Sequence, residues 1–156
     1  MGSTERSLLE RVKADLAAID GTGSYNYDFT PTDAVILGTE QPGTAPRSPG
    51  IYIFPMSIST NQTTGRTPMN RFDRVMIVQV DVWVPRTTEA PGNAMLAAVD
   101  AQSDVMRALE NDRSLNSLAH DIEIDASAYD GLEVELPGYG VATLRMTIMY
   151  SEVAGA

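Results

Sequence analysis

Between Arg71 and Pro85 the side chains alternate: Val78, Val80, Val82 and Val84 share one face, and Ile77, Gln79, Asp81 and Trp83 share the other. A period of two residues predicts a strand, and Pro85 ends it. After a polar link the period becomes helical. Asn93, following Pro91 and Gly92, is the candidate cap, and at ~100° per residue Met95, Ala98, Val99, Gln102, Met106 and Leu109 fall on one side. Asp100, Asp104, Arg107 and Asn111 fall opposite. Ala94, Ala97, Ala101 and Ala108 form a separate line of small side chains, which either admits a close neighbour or simply serves helix propensity.

The same reading extends in both directions. Ser3 and Thr4 can each cap a helix whose apolar positions are Leu8, Leu9, Val12, Leu16 and Ile19, with Glu5, Arg6, Glu10, Arg11 and Asp15 off that stripe and with Gly21 and Gly23 expected to end it. Ser24 to Thr32 alternates Tyr25, Tyr27 and Phe29 with Asn26 and Asp28, as an edge strand or an ordered loop would. Ala34 to Leu37 is a short apolar run, and Gly38 to Gly50 reads as a surface loop. Ile51 to Phe54 is a strand that Pro55 interrupts and Met56 to Ser59 resumes, the proline marking an edge or a bulge.

Thr60 to Asn70 is nearly all polar and longer than the roughly two to five residues a hairpin needs. Asn111 to Leu118 looks irregular. Ile122 and Ile124 precede an Asp130-Gly131 turn, and a last strand from Val141 to Tyr150 sets Ala142, Leu144, Met146, Ile148 and Tyr150 on one fully apolar face. The expected fold class is α+β, a mainly antiparallel sheet with two principal helices and a long polar hairpin loop. A single domain over residues 1–156 follows, since a chain of this length buries roughly 70% of the surface its unfolded form exposes.

Charge narrows the partners. Eleven basic residues against twenty-one acidic ones leave a net charge of -10, which repels phosphate and anionic lipid and attracts basic surfaces. With no cysteine there are no disulfides, thiolate metal sites or thiol nucleophiles. The charged N-terminal segment lacks the apolar run of a signal peptide, and no stretch approaches the ~20 apolar residues of a membrane span, so a soluble intracellular product is expected.

The motifs of catalysis do not assemble. His120 is the only histidine and lies beside Asp121 at the start of a strand, where a surface role is expected. No nucleophile elbow, phosphate loop or dinucleotide fingerprint is present; Gly138-Tyr139-Gly140 lacks the third glycine. Asp121, Glu123 and Asp125 superficially resemble a calcium loop, but Ile122 and Ile124 intervene and Ala126 replaces the turn glycine. Their alternation gives a strand with one acidic face, which is solvated, metal-bound or directed at a basic partner. Gln102, within an apolar stripe, is the one candidate pocket residue, with a hydrogen bond to nearby backbone as its plainer role. Arg66, Arg71 and Arg74 gather scarce positive charge around the long loop and form a candidate docking patch for acidic neighbours. The expectation is therefore a non-enzyme without cofactor, catalytic residues or metal.

Helix ending in Gly, "GIYIFPMSIS", polar loop, "RVMIVQVDVWVP", "AMLAAVDAQSDVMRALEND" and "GVATLRMTIMYSEV" follow one another in a layout that resembles the tail terminator proteins of long-tailed bacteriophages, also called tail completion or minor tail proteins. The resemblance covers about Ser7 to Val153 and rests on layout rather than on an invariant motif. It implies a homo-oligomer, a hexameric ring, that caps the tail tube, stops its polymerisation and offers the surface to which the head-tail connector or adaptor attaches. Such a protein is assembled in the host cytoplasm and resides in the virion at the tail or neck. DNA would pass through the ring without specific binding, kept off an acidic wall over about one Debye length, ~8 Å. Asn61, Arg66, Met69, Arg71 and Arg74 are the implied interface with the tube or the next subunit; Asp121, Glu123 and Asp125 are the candidate acidic lumen or solvent face. The alternatives are another neck, head-completion or adaptor protein, a tail-tube subunit, or, from a different class, a small α+β hydrolase or ligand-binding domain.

Overall fold

The computed structural model describes residues 2–38, 49–61, 71–85, 94–130 and 139–153. Within them the order is α1 (Thr4–Ala17), β1 (Val35–Leu37), β2 (Gly50–Asn61), β3 (Arg71–Pro85), α2 (Ala94–Glu110), β4 (Asp121–Asp130) and β5 (Tyr139–Val153). The strands form one five-stranded sheet in the order β1-β2-β3-β5-β4. β1 runs parallel to β2, and the β2-β3, β3-β5 and β5-β4 pairs are antiparallel. The architecture is α+β, a mixed sheet with two helices.

The alternation in β3 is realised residue by residue. Met76, Val78, Val80, Val82 and Val84 are fully buried, while Ile77, Gln79, Asp81 and Trp83 are half-buried. On the next strand Leu144 lies opposite Val80, Met146 opposite Val78 and Ile148 opposite Met76, and all three are fully buried too. Both helices cover this face of the sheet, α1 through Leu8, Val12 and Leu16 and α2 through Ala98, Ala101, Val105 and Leu109. Each Val or Leu so buried contributes ~1.5–3 kcal/mol, so this single layer of contact is the main source of stability.

Ser3 caps α1 by accepting the Arg6 N–H at 3.2 Å. The helix ends at Ala17, before Gly21, where the glycines placed its end. Ile19 still reaches the core, but from beyond the helix, where its carbonyl accepts the Phe29 N–H at 2.8 Å. Gly21 matters at the close approach that follows: its φ is +75°, and a Cβ there would sit 3.3 Å from the backbone of Tyr27. Ser24 to Thr32 is thus an ordered loop, joined to the chain before it by one isolated bridge between Asp20 and Asp28.

Helix α2 is rotated from its expected orientation. The buried positions are Ala97, Ala98, Ala101, Gln102, Asp104, Val105, Ala108 and Leu109, whereas Val99 and Leu96 are exposed. Ala97, Ala101 and Ala108 of the alanine line face the protein, whereas Val99 of the stripe is exposed and Met106 packs against the core only in part. Small side chains let α2 lie close to its neighbours, and Asp104, expected in solvent, goes inward with them.

Pro55 interrupts nothing: β2 is continuous, with a register shift between Pro55 and Ser57. β1 covers only Ile51 to Ile53 of this strand, so beyond Phe54 the strand is an edge among the described residues, and proline and bulge fall where an edge tolerates them. Residues 60 and 61, expected in the long loop, belong to the strand; the rest of that loop lies outside the described residues, as do Asn93, the Asp130-Gly131 turn's glycine and most of Gly38 to Gly50. A parallel pair needs a crossover of about a dozen residues, which the length of Gly38 to Gly50 supplies. Asn111 to Leu118 is a run of turns in which Leu115, Asn116 and Ser117 hold positive φ.

Candidate interaction surfaces

The docking patch assembled from sequence divides. Asn61 ends β2 opposite Asp73, and Arg71 opens β3 opposite Val153. Arg66 and Met69 lie outside the described residues. Arg74 is not the free cation the patch required. Its Nη1 sits 3.2 Å from Glu5 Oε1 and also binds Glu152 Oε2, and the Tyr150 hydroxyl donates to the same Glu5 oxygen at 2.8 Å. Burial pushes the Glu5 carboxyl up, but its backbone bond, Tyr150 and Arg74 together bring it below its ordinary value. The Tyr150 hydroxyl is pushed up, first by burial and then by Glu5. This knot fastens the first turn of α1 to β3 and β5, so the arginine's work is internal.

The acidic triplet on β4 also separates. Arg113 grips Asp121 with Nε at 2.9 Å and Nη2 at 3.1 Å, and this, followed by the Ile122 N–H, holds the Asp121 carboxyl below its ordinary value. Arg113 Nη2 also donates to the Ile122 carbonyl at 2.9 Å, while the Ile122 N–H donates to Asp121 at 2.9 Å. Both main-chain groups of Ile122 are therefore occupied by side chains, which closes the start of the β4 edge. Glu123 is exposed. A register shift between Ile124 and Ala126 takes Asp125 out of the alternation, and it accepts the Thr147 hydroxyl. With Glu110, Arg113, Ile122, Ile124 and Glu123, Asp125 lines a shallow recess of about 420 Å³.

His120 has company that chain distance hid. Its Nε2 meets Ser151 Oγ, which donates to Asp73 Oδ1 at 2.7 Å. A nucleophilic serine must surrender its proton to the histidine; here the hydroxyl proton is directed to the carboxylate instead. The three groups form a surface link between β3, β5 and the approach to β4. Among the described residues no group of three or more His, Cys, Asp or Glu side chains could hold a metal ion, and no helix is long and apolar enough to cross a membrane.

Two carboxylates that the sequence placed in solvent are the structure's main surprise. Asp104 is fully buried and accepts the Asn26 N–H at 2.9 and 3.0 Å, the Tyr27 N–H at 2.9 Å and the Asn26 side-chain amide at 3.0 Å. Asp15, with a side chain only 11% exposed, reaches Arg11 Nη2 at 3.1 Å and has a second oxygen, Oδ2, buried without a partner. Asp112, whose Oδ2 lies 2.9 Å from Arg11 Nε, adjoins it. Burial, then Asp112, pushes the Asp15 carboxyl up to about 7. For Asp104 a signal existed: it lies at helical spacing on the line of Ala97, Ala101 and Ala108. Gln102 is fully buried, and its Nε2 donates to the Thr143 carbonyl at 3.4 Å, the plainer of its expected roles; its Oε1 has no partner. The sequence matches no protein-family model and no curated protein.

Proposed function

We propose that this protein is a structural virion component of a long-tailed phage or phage-like particle, a tail terminator whose copies form a ring on the end of the tail tube. In that role it ends tube polymerisation and presents the surface to which the head connector attaches. The observation that carries the reading is the element order, α1-β1-β2-β3-α2-β4-β5, in which the segments that resemble the family occupy helix, strand, strand, helix and strand in the same succession. The one-sided helical layer supports it: both helices cover one face, and the other keeps half-buried Val75, Ile77, Thr147 and Met149 as contact surface.

In this reading the sheet is mainly antiparallel and the polar hairpin connection after Asn61 faces the tube or the next subunit. The ring is hexameric, held by heterologous contacts that return on themselves. DNA slides past an acidic wall without being bound, and Glu123 and Asp125, which no cation of the described residues engages directly, are the carboxylates best suited to that wall. Arg74 and Asp121 take no part in docking, because each is already engaged.

The deciding experiment adds the purified chain to polymerising tail-tube protein and measures tube lengths by electron microscopy. Growth is expected to stop, with a single added layer at the tube end. Unchanged tube lengths with bare ends would overturn the terminator role, and open stacks of this chain alone would identify it as a tube subunit instead.

A further inference from the structure

The two margins of the sheet are built differently. At the β4 margin the Ile122 main chain is sealed by Asp121 and Arg113, and Glu123 and Asp125 follow in exposed positions. Among the described residues the β2 margin has no such guard past its bulge. Its 12 residues, Gly50–Asn61, contain no charged side chain in a protein of net charge -10, and Met56 and Ile58 are 53% and 50% exposed. An edge strand of this kind is a template for another strand unless charge, proline or a bulge blunts it. Pro55 and the register shift blunt only the near half.

The direction of the unpaired groups follows from the ladder. The Ile51 N–H donates to the Ala34 carbonyl and the Ile53 carbonyl accepts from Gly38, so Ile51 and Ile53 aim their main-chain groups outward, toward β1. Alternation puts Pro55 in the same set, and its missing N–H costs no ladder bond. The register shift then changes the parity: Ser57 lies opposite Ile77 and Ser59 opposite Val75, facing β3, while Ile58 and Thr60 turn their N–H and C=O groups outward.

The geometry points to a second copy of this chain as the occupant of this edge, paired antiparallel about a two-fold axis at Ser59. In that arrangement Ile58 exchanges main-chain hydrogen bonds with Thr60 of the partner subunit, and Thr60 with Ile58 of the partner subunit. Ser59 faces its own copy across the axis. The pattern is self-complementary, with one outward residue on either side of the centre. Charge selects the occupant: two acidic copies meet here without opposing a single carboxylate, whereas copies meeting at the β4 margin set like charges against one another, which destabilises cross-strand pairs. A two-fold contact pairs two copies and stops, so it is separate from the head-to-tail contact that closes a ring and does not depend on the function proposed above. The paired segment is short, at the weak end of protein interfaces, so the dimer forms with rising concentration.

Because the chain contains no cysteine, Ser59→Cys reports on the axis directly. Facing residues of a non-hydrogen-bonded pair bring their Cβ atoms to about 4.5–5.5 Å, close to disulfide reach. Mild oxidation is expected to convert S59C to a covalent dimer, while Ser103→Cys, on the exposed side of α2, stays uncrosslinked. By sedimentation velocity over a concentration series, the wild type is expected to dimerise, and Thr60→Pro and Ile58→Lys to need at least about tenfold higher concentration at unchanged melting temperature. Two substitutions guard against misfolding of one. A wild type that stays monomeric throughout, equal crosslinking of S59C and S103C, or dimers indifferent to both edge substitutions would overturn the pairing.

Discussion

Asp104 and Asp15 are both helix carboxylates drawn out of solvent, and they fare in opposite ways. Asp104 of α2 meets donors: the Asn26 and Tyr27 N–H groups and the Asn26 amide converge on it. Asp15 of α1 meets Arg11 on one oxygen, while its other oxygen is buried without a partner and the Asp112 carboxyl lies nearby. Asp104 is fully buried and Asp15 largely so, but the supply of donors differs more than the burial does. A buried carboxylate surrounded by N–H groups organises the chain around it; one facing another carboxylate is relieved only by holding a proton. The first fixes the loop over α2, and the second makes the junction of α1 with the turn after α2 sensitive to pH.

The harshest way to sharpen this contrast is a carboxylate with no donor at all. Val80→Asp places one at a fully buried position among Ile53, Leu144 and other apolar side chains, and the expected cost of about 4 kcal/mol or more should abolish cooperative unfolding by circular dichroism. Unchanged melting would show that water reaches the strand. Asp104→Ala comes next: it strands two main-chain N–H groups, for an expected loss of about 3 kcal/mol in urea denaturation. A loss below about 1 kcal/mol would mean that solvent takes over the loop's hydrogen bonds.

The pH dependence tests Asp15. Its folded-state value of about 7 lies above the model-peptide 3.8, so the folded protein binds a proton that the unfolded chain has released. That stabilisation is complete at acid pH and is lost as pH rises from about 4 through 7. Glu5, Asp112 and Asp121 are lowered and act in the opposite sense, their stabilisation being lost as pH falls below about 4. The wild type should therefore be most stable near pH 4 to 5 and lose about 1–3 kcal/mol by pH 8. Asp15→Asn, which replaces the carboxyl proton with a permanent amide N–H donor toward Asp112, should flatten the decline and leave the acid limb intact. An undiminished decline in that variant would assign the proton elsewhere. The smallest effect is expected from Asn26→Ala, which removes the amide but keeps both N–H bonds to Asp104, at about 0.5–1.5 kcal/mol by thermal melting.

The strands of this protein are written plainly in its sequence because their period survives any neighbour: Val78 to Val84 and Ala142 to Tyr150 are buried on the faces their alternation selects. The helices are less legible. In α2 the apolar count favoured the side with Met95 and Val99, but packing space chose the alanines, and Asp104 followed because a loop distant in sequence supplied its donors. Arg74 misled for the same reason; Glu5, Tyr150 and Glu152, which claim it, are far away along the chain. The Asp73-Ser151-His120 link was equally hidden: His120 read as a surface residue, and nothing near it in the chain pointed to Ser151 or Asp73. What the sequence conveys is periodicity, and what it withholds is which distant group answers a given charge.

The knot around Arg74 has a practical corollary for watching the protein fold. Thr4 donates to Glu152 at 3.3 Å, so the chain's early and late residues share one corner of the fold. Fluorophores attached at Gly2 and Val153 should transfer energy efficiently while that corner is intact. Their signal would fall when the first helical turn peels from the last strand, timing that step separately from the melting of the sheet.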